Sequence, residues 1–281
     1  MTTLRLSPAT RLAGPADTAR HGEYQPGSPP LIRFHGRITD DGEFTVRPFR
    51  YHLYGARSCA WSHQVAIIRE LAGLPDIVTM SYVDEERDGR GWAFRSRYGP
   101  DPVNGFTFLR QAYEATEEGF DGHVSVPALW DRFSCRIASN DARTIGIDLA
   151  TRFRHLADPV IDTYPEPLRE RIEDLDARIA PVIGGGAGRG ELLETFEMLD
   201  ARLDRSRYLL GDTLTQADIR LWVRLVRYDV GPNAHRRINP GLHVFPHLWR
   251  YARELYAIPA FRTTTDFSAI AAPGVTVPDW G

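Results

Sequence analysis

A cysteine stands where an apolar strand gives way to a helix, and that junction constrains the fold more than any other feature of the chain. The run Tyr54-Gly55-Ala56-Arg57-Ser58-Cys59-Ala60-Trp61-Ser62-His63 follows a strand read over Tyr51 to Tyr54. Beyond it Val65, Ile67, Ile68, Leu71 and Ala72 form an apolar stripe at helical spacing, and Gly73 with Pro75 supplies the stop. The first turn of such a helix offers unpaired N–H groups and the positive end of its dipole, which stabilise a sulfur anion at Cys59. Ser62 occupies the position three residues on, so no local disulfide can form and Cys59 reads as a single-thiol nucleophile. The same residue also reads as a small buried core cysteine.

A chain of 281 residues exceeds the usual size of one domain, so two are expected. The net charge of -3 gives no reason to expect nucleic acid or an anionic membrane as a partner. All 34 basic side chains are Arg, which permits bidentate carboxylate contacts and excludes Schiff-base and P-loop lysine chemistry. Two cysteines, Cys59 and a Cys135 read into a short strand, make neither a disulfide framework nor a metal cluster. No metal is expected, and a reducing cytoplasm fits best. No apolar run approaches a membrane span, and the N-terminus lacks the layout of a signal peptide.

Residues Met1 to Pro30, rich in Pro, Gly, Ala and Thr, carry little periodicity and read as an arm that is disordered or laid over the body. Strand and helix patterns then alternate. Strands are read over Tyr51 to Tyr54, Ile77 to Val83, near Val126 to Trp130, and over Cys135 to Ala138. Helices are read over Ala60 to Leu71, Phe106 to Ala115 and Asp141 to Phe153. After Asp158 only helical patterns persist, over Leu168 to Ile179, Glu191 to Leu203, Gln216 to Tyr228 and Pro246 to Leu255. The boundaries expected are an arm over 1–48, a thiol-binding domain over 49–157, a helical substrate domain over 158–262 and a tail over 263–281.

Thr215-Gln216-Ala217-Asp218 reads as a capping box that starts the helix bearing Leu221, Trp222, Leu225 and Val226. The glycine run Gly184 to Gly190 is not followed by Lys-Ser/Thr, so it reads as a connection between helices. In Val124-Ser125-Val126-Pro127-Ala128, a cis bond before Pro127 would turn nearby N–H and C=O groups toward a ligand. A peptide-like thiol could then pair with Val126 as a short added strand.

Taken together, the stretch from Arg50 to Phe153 resembles the Xi-class glutathione transferases, the glutathionyl-hydroquinone reductases. The motifs that carry this are Cys59-Ala60-Trp61-Ser62-His63-Gln64, Gly91-Trp92-Ala93-Phe94, Val126-Pro127-Ala128-Leu129-Trp130-Asp131 and Ser139-Asn140-Asp141-Ala142. Leu214 to Asp218 and Val226 to Asp229 resemble the matching pieces of the helical part. The resemblance implies an α/β plus all-α chain, a thioredoxin-like N-terminal domain followed by a helical bundle, usually as a homodimer. It implies glutathione or another low-molecular-weight thiol as cosubstrate. Cys59 would attack the sulfur of a small organic thiol conjugate and leave a mixed disulfide that a second thiol resolves. Trp92, His123, Val126, Pro127 and Asp141 would hold the thiol, and Arg227, Tyr228 and His235 would lie toward the organic substrate.

Several positions depart from that pattern. His123 replaces an arginine, Ala142 a serine, and Pro232 a tyrosine, while the glycine run around Gly185 replaces a tyrosine-bearing segment. Asp266 to Ile270 and the tail after it carry no tyrosine pair. A phenol at a reacting centre donates a proton or steadies an oxyanion, so these losses imply a changed substrate. The alternative is a catalytically degenerate transferase-like protein that only binds a ligand.

Overall fold

The structure, a computed structural model, describes residues 11–184 and 186–281. The chain divides into two compact units. The first comprises residues 1–62 and 74–148, the second 63–73 and 149–281. The expected arm, of which residues 1–10 lie outside the described residues, belongs from residue 11 on to the first unit, and the expected tail to the second.

The first unit opens with the arm, which carries one short helix, α1 (Thr18–His21), and a pair of two-residue strands, β1 (Ile38–Thr39) and β2 (Phe44–Thr45). Then follow β3 (Tyr51–Gly55), the start of α2 (Ala60–Leu71), β4 (Thr79–Tyr82), α3 (Arg110–Thr116), β5 (Ala128–Asp131), β6 (Arg136–Ser139) and the start of α4 (Ala142–Arg152). The sheet order is β4-β3-β5-β6, with β3 parallel to β4 and antiparallel to β5, and β5 antiparallel to β6. This mixed order is the thioredoxin-like arrangement the resemblance implies. β3 is buried along its whole length, as a central strand must be. Tyr54, Trp92, Phe94, Tyr113, Phe120 and Trp130 build the aromatic core on one side of it.

Side chains rather than periodicity fix the loops. Asp131 is fully buried and receives Arg50 through two guanidinium nitrogens at 2.7 and 2.8 Å. Burial alone would raise its pKa, but Arg50, Ser134 and the Phe133 N–H together hold the carboxyl below the usual range. Those last two contacts shape the β5–β6 turn, and they move Cys135 out of the strand expected for it. Cys135 sits exposed in the turn with φ 54°, because closing so short a hairpin needs a left-handed residue. α3 begins four residues later than the sequence reading. The Thr107 and Phe108 N–H groups bond the Gln111 side chain and the Phe106 N–H bonds Asp101, so the first turn is taken up by side-chain capture.

The described part of the arm lies over the first unit. The Ala13 N–H reaches the Phe94 carbonyl, Gly22 accepts from the Gly89 N–H, and the Asn140 side-chain oxygen accepts from the Arg33 and Phe34 N–H groups. Gly89 and Gly27 are glycines because backbone passes backbone there. A Cβ at Gly89 would meet the His21 carbonyl oxygen at 2.0 Å, and one at Gly27 the Gly122 oxygen at 2.3 Å.

Asp88 is the electrostatic fastening of this arm. It is fully buried and accepts from the Asp17 N–H at 2.9 Å and from Arg90, which also reaches the Pro15 carbonyl. The Arg90 side chain outweighs burial and, with the Asp17 and Arg90 N–H groups, holds the Asp88 carboxyl well below the ordinary range. A depressed folded-state pKa stabilises above the unfolded value of about 3.9 and is lost as pH falls through the folded value. Acidification below about pH 4 is therefore expected to loosen the arm, and Asp88→Asn to do so at neutral pH. Trypsin cleavage after Arg20 should then accelerate about tenfold, since the cleaved population follows local opening. An unchanged rate would contradict this fastening.

In the second unit α5 (Arg169–Gly184), α6 (Arg189–Leu203), α7 (Gln216–Tyr228), α8 (Pro246–Ala257), α9 (Pro259–Thr264) and α10 (Phe267–Ile270) make the helical part. α7 is buried nearly all round, with Trp222 at its centre. The capping box is present: the Thr215 N–H donates to Asp218 at 2.8 Å, and Asp218 also accepts from the Leu209 N–H and the Tyr251 hydroxyl. α5 runs past the expected Ile179 and through Pro181, whose ring suits helical φ and forfeits a single ladder bond near the helix end. The tail folds back, with Trp280 buried against Trp249 and Phe267. No helix among the described residues is long and apolar enough to cross a membrane.

Candidate functional site

Cys59 lies directly before α2, so its sulfur is close to a helix start, and the residue is partly buried against the aromatic core. β3 ends at Gly55, and a turn returns the Cys59 N–H to the Ala56 carbonyl at 3.2 Å. Ser62 is buried and its hydroxyl accepts from the Ala56 N–H at 3.2 Å, which ties the turn to the first turn of α2. The Cys59 Sγ is 3.4 Å from the Val126 carbonyl oxygen.

Val126 comes just before β5, and the Val126–Pro127 bond is cis. The stretch before it is held from both sides. The Tyr113 hydroxyl donates to the Ser125 carbonyl at 2.8 Å and accepts from the Ser125 N–H at 3.2 Å, and the Asn140 side-chain amide donates to the Ser125 hydroxyl at 2.9 Å. Burial, eased by the Ser125 contacts, pushes the Tyr113 phenol up to about 12, so it stays a neutral clamp. Tyr113, Ser125 and Asn140 were not singled out by sequence reasoning. Ser125, within Val124-Ser125-Val126-Pro127, and Asn140, within Ser139-Asn140-Asp141, stood in motifs that could have flagged them, whereas Tyr113 did not.

The remaining thiol-side candidates border this segment. Trp92 is buried in the same core as Val126 and Cys59. His123 is partly buried with its Nδ1 shielded and unpartnered among the described residues, and burial, followed by the Arg87 charge, lowers its pKa and keeps the imidazole neutral. Asp141 caps α4: its carboxylate accepts from the Arg143 and Thr144 N–H groups and the Thr144 hydroxyl. A ligand ammonium would share a carboxylate already at work at a helix end.

The substrate-side candidates separate within the second unit. Arg227 is half-buried, and its guanidinium bonds His63 Nδ1 at 2.9 Å while the His63 ring packs edge-on to Trp222. Tyr228 is buried, and its hydroxyl donates to Asn239 at 3.1 Å within a network with Asn233 and Asp229. Burial, then Asp229, pushes its phenol up to about 12. His235 is exposed in a turn. The structure thus brings Arg227 to His63, turns Tyr228 inward and leaves His235 at the surface. No group of three or more His, Cys, Asp or Glu among the described residues is placed to hold a metal ion.

A thioredoxin-like sheet with a thiol at its first helix, joined in one chain to an all-helical unit, defines an enzyme of the glutathione-transferase type. Residues 166–254 match the family model for the glutathione S-transferase C-terminal domain. The chain is 33% identical over 232 residues to glutathionyl-hydroquinone reductase PcpF of Sphingobium chlorophenolicum, covering 76% of this chain and 74% of that one. It is 30% identical over 250 residues to glutathionyl-hydroquinone reductase YqjG of Escherichia coli, covering 83% and 76% respectively. Among solved structures, the Xi-class glutathione transferase of Phanerochaete chrysosporium superposes with a TM-score of 0.79 at 30% identity, over 86% of this chain and 90% of that one. The glutathione-bound YqjG structure gives 0.79 at 29% identity, over 85% and 86%. The chain belongs to the Xi-class glutathione transferase family, that of the glutathionyl-hydroquinone reductases.

Proposed function

We propose that this protein is a cysteine-dependent, glutathione-using reductase in which Cys59 attacks the sulfur of an S-aryl or similar thiol conjugate. The observation that carries the proposal is the Cys59 Sγ just before α2, in a partly buried residue, 3.4 Å from the carbonyl of the residue before cis-Pro127. The thiol donates toward the Val126 carbonyl, and the Val126 backbone offers the edge against which a peptide-like thiol pairs. In the first step the Cys59 sulfur bonds the conjugate sulfur while the sulfur–carbon bond breaks, and the released carbon takes up a proton. In the second, glutathione attacks the mixed disulfide and restores the Cys59 thiol. The net change is two-electron reduction of the conjugate and formation of one glutathione disulfide.

Trp92, Val126, Pro127, His123 and Asp141 are the proposed thiol-holding set, and Arg227 and His235 the proposed polar groups toward the organic substrate. Tyr228, whose hydroxyl is bound to Asn239, borders this side as a buried residue of α7. A reducing compartment, in which the free Cys59 and Cys135 persist, and a homodimeric state complete the reading.

The test incubates the enzyme with a glutathionyl-hydroquinone and glutathione. Free hydroquinone and glutathione disulfide are expected in equal amounts. With the second thiol withheld, peptide mass spectrometry should find glutathione on Cys59 and not on Cys135. A conjugate that binds without release of the hydroquinone would favour a second reading, a ligand-binding protein without turnover. One observation supports that second reading: the phenol of Tyr228 is committed to Asn239 and cannot serve a leaving group.

A further inference from the structure

Beside the thiol-holding residues, one cation is held in an unusual way. The Arg87 guanidinium carbon lies 4.1 Å from the ring centroid of Tyr24 and 4.2 Å from that of Trp92, so the plane of charge is clamped between two aromatic rings. Tyr24 belongs to the arm, which is seated at this point. Its ring lies 3.9 Å from where a Cβ on Gly91 would stand, and Ser28 forms a bridge with Gly122, next to His123. Among the described residues Arg87 has no carboxylate partner, whereas Arg90 pairs with Asp88 and Arg97 with Glu85. Two neighbouring polar atoms, the Tyr24 hydroxyl and His123 Nδ1, are shielded from solvent with no hydrogen-bond partner among the described residues. Each is a group that structures ordinarily satisfy.

We propose that Arg87, clamped by Tyr24 of the N-terminal arm against Trp92, is the carboxylate anchor of the thiol site, with His123 as its neighbouring donor. The ligand chemistry is a small thiol ending in a carboxylate. A guanidinium held flat by stacking presents its N–H edge to a planar oxyanion without losing side-chain freedom on binding. Asp141 follows Asn140, which bonds Ser125 beside Val126, and the Arg87 charge acts on His123, so a carboxylate and a guanidinium are available to the ammonium-bearing and carboxylate-bearing parts of a ligand at Val126. For glutathione the anchored group is the glycine carboxylate. The arm is thereby a wall of the site, and Tyr24 is a positioning residue acting through Arg87.

This inference rests on the thiol-site reading above, and its test separates the two. Titration calorimetry on the full chain uses S-methylglutathione, which cannot be oxidised to a disulfide, and its glycine ethyl ester. The wild-type protein should bind the acid about tenfold to a hundredfold more tightly than the ester, the range of a charge-assisted pair. Arg87→Met should remove that preference while leaving the ester's affinity as it was. Arg87→Lys should restore part of it, and Tyr24→Leu should reduce it. Equal loss of acid and ester binding in Arg87→Met, or an undiminished preference, would overturn the anchor while leaving the thiol site standing. Failure of the wild-type protein to bind either ligand would overturn the thiol-site reading and the anchor with it.

Discussion

Cys59→Ser is expected to abolish release of hydroquinone from a glutathionyl-hydroquinone, lowering kcat by about a thousandfold or more. A serine hydroxyl in the same place keeps the volume and a donor toward the Val126 carbonyl, so stability and ligand affinity should change little. It cannot form the sulfur–sulfur bond on which the proposed step depends. The diagnostic result is the split: S-methylglutathione still binds while turnover and the Cys59 adduct both vanish. Turnover that survives in this variant would remove the cysteine from the mechanism.

Asp218→Ala is expected to cost the fold about 3–5 kcal/mol, the largest stability effect of any substitution considered for the helical unit. The carboxylate is fully buried and accepts from the Leu209 N–H, the Thr215 N–H, the Thr215 hydroxyl and the Tyr251 hydroxyl. Alanine strands these buried donors, and each unsatisfied group costs about 1–3 kcal/mol, offset in part by the desolvation the carboxylate no longer suffers. Asn keeps one acceptor oxygen but turns an amide toward the other donors, so Asp218→Asn should lose about half as much. Urea unfolding followed by circular dichroism reads both. A midpoint within error of wild type for Asp218→Ala would show that the box is dispensable.

The two helices bounded by strong punctuation, Ala60–Leu71 and Gln216–Tyr228, were legible to the residue. Gly73 and Pro75 close the first, and Thr215 with Asp218 opens the second, so local chemistry and tertiary packing agree there. Legibility failed where distant side chains decide. Gln111 and Asp101 delay α3, and Asp131 with Ser134 draws Cys135 into a left-handed turn. Neither contact leaves a periodic trace.

The site divides the same way. The places of Cys59 before a helix and of Val126 before Pro127 could be read because a strand-to-helix junction and an X–Pro step carry local signals. Arg87, in a charged Glu-Glu-Arg-Asp run, carries no motif, and its proposed role depends on a tyrosine 63 positions earlier in the sequence. Tyr228 looked like a site residue by its neighbours but is drawn into the core by Asn239. Backbone position can be inferred from a motif, whereas the direction of a side chain follows from partners that the motif does not contain.

The arm's seat also sets an order of events during synthesis. Arg33 and Phe34 donate to Asn140, 107 and 106 residues downstream, so this part of the arm cannot make its seat until the last strand of the sheet has followed it out of the ribosome. Contacts of such long sequence separation form late and slow the approach to the native state. Throughout that interval the nascent sheet is without its outer covering, and the glycines at 27 and 89 keep the docking track smooth enough for the strap to settle once its partner surface exists.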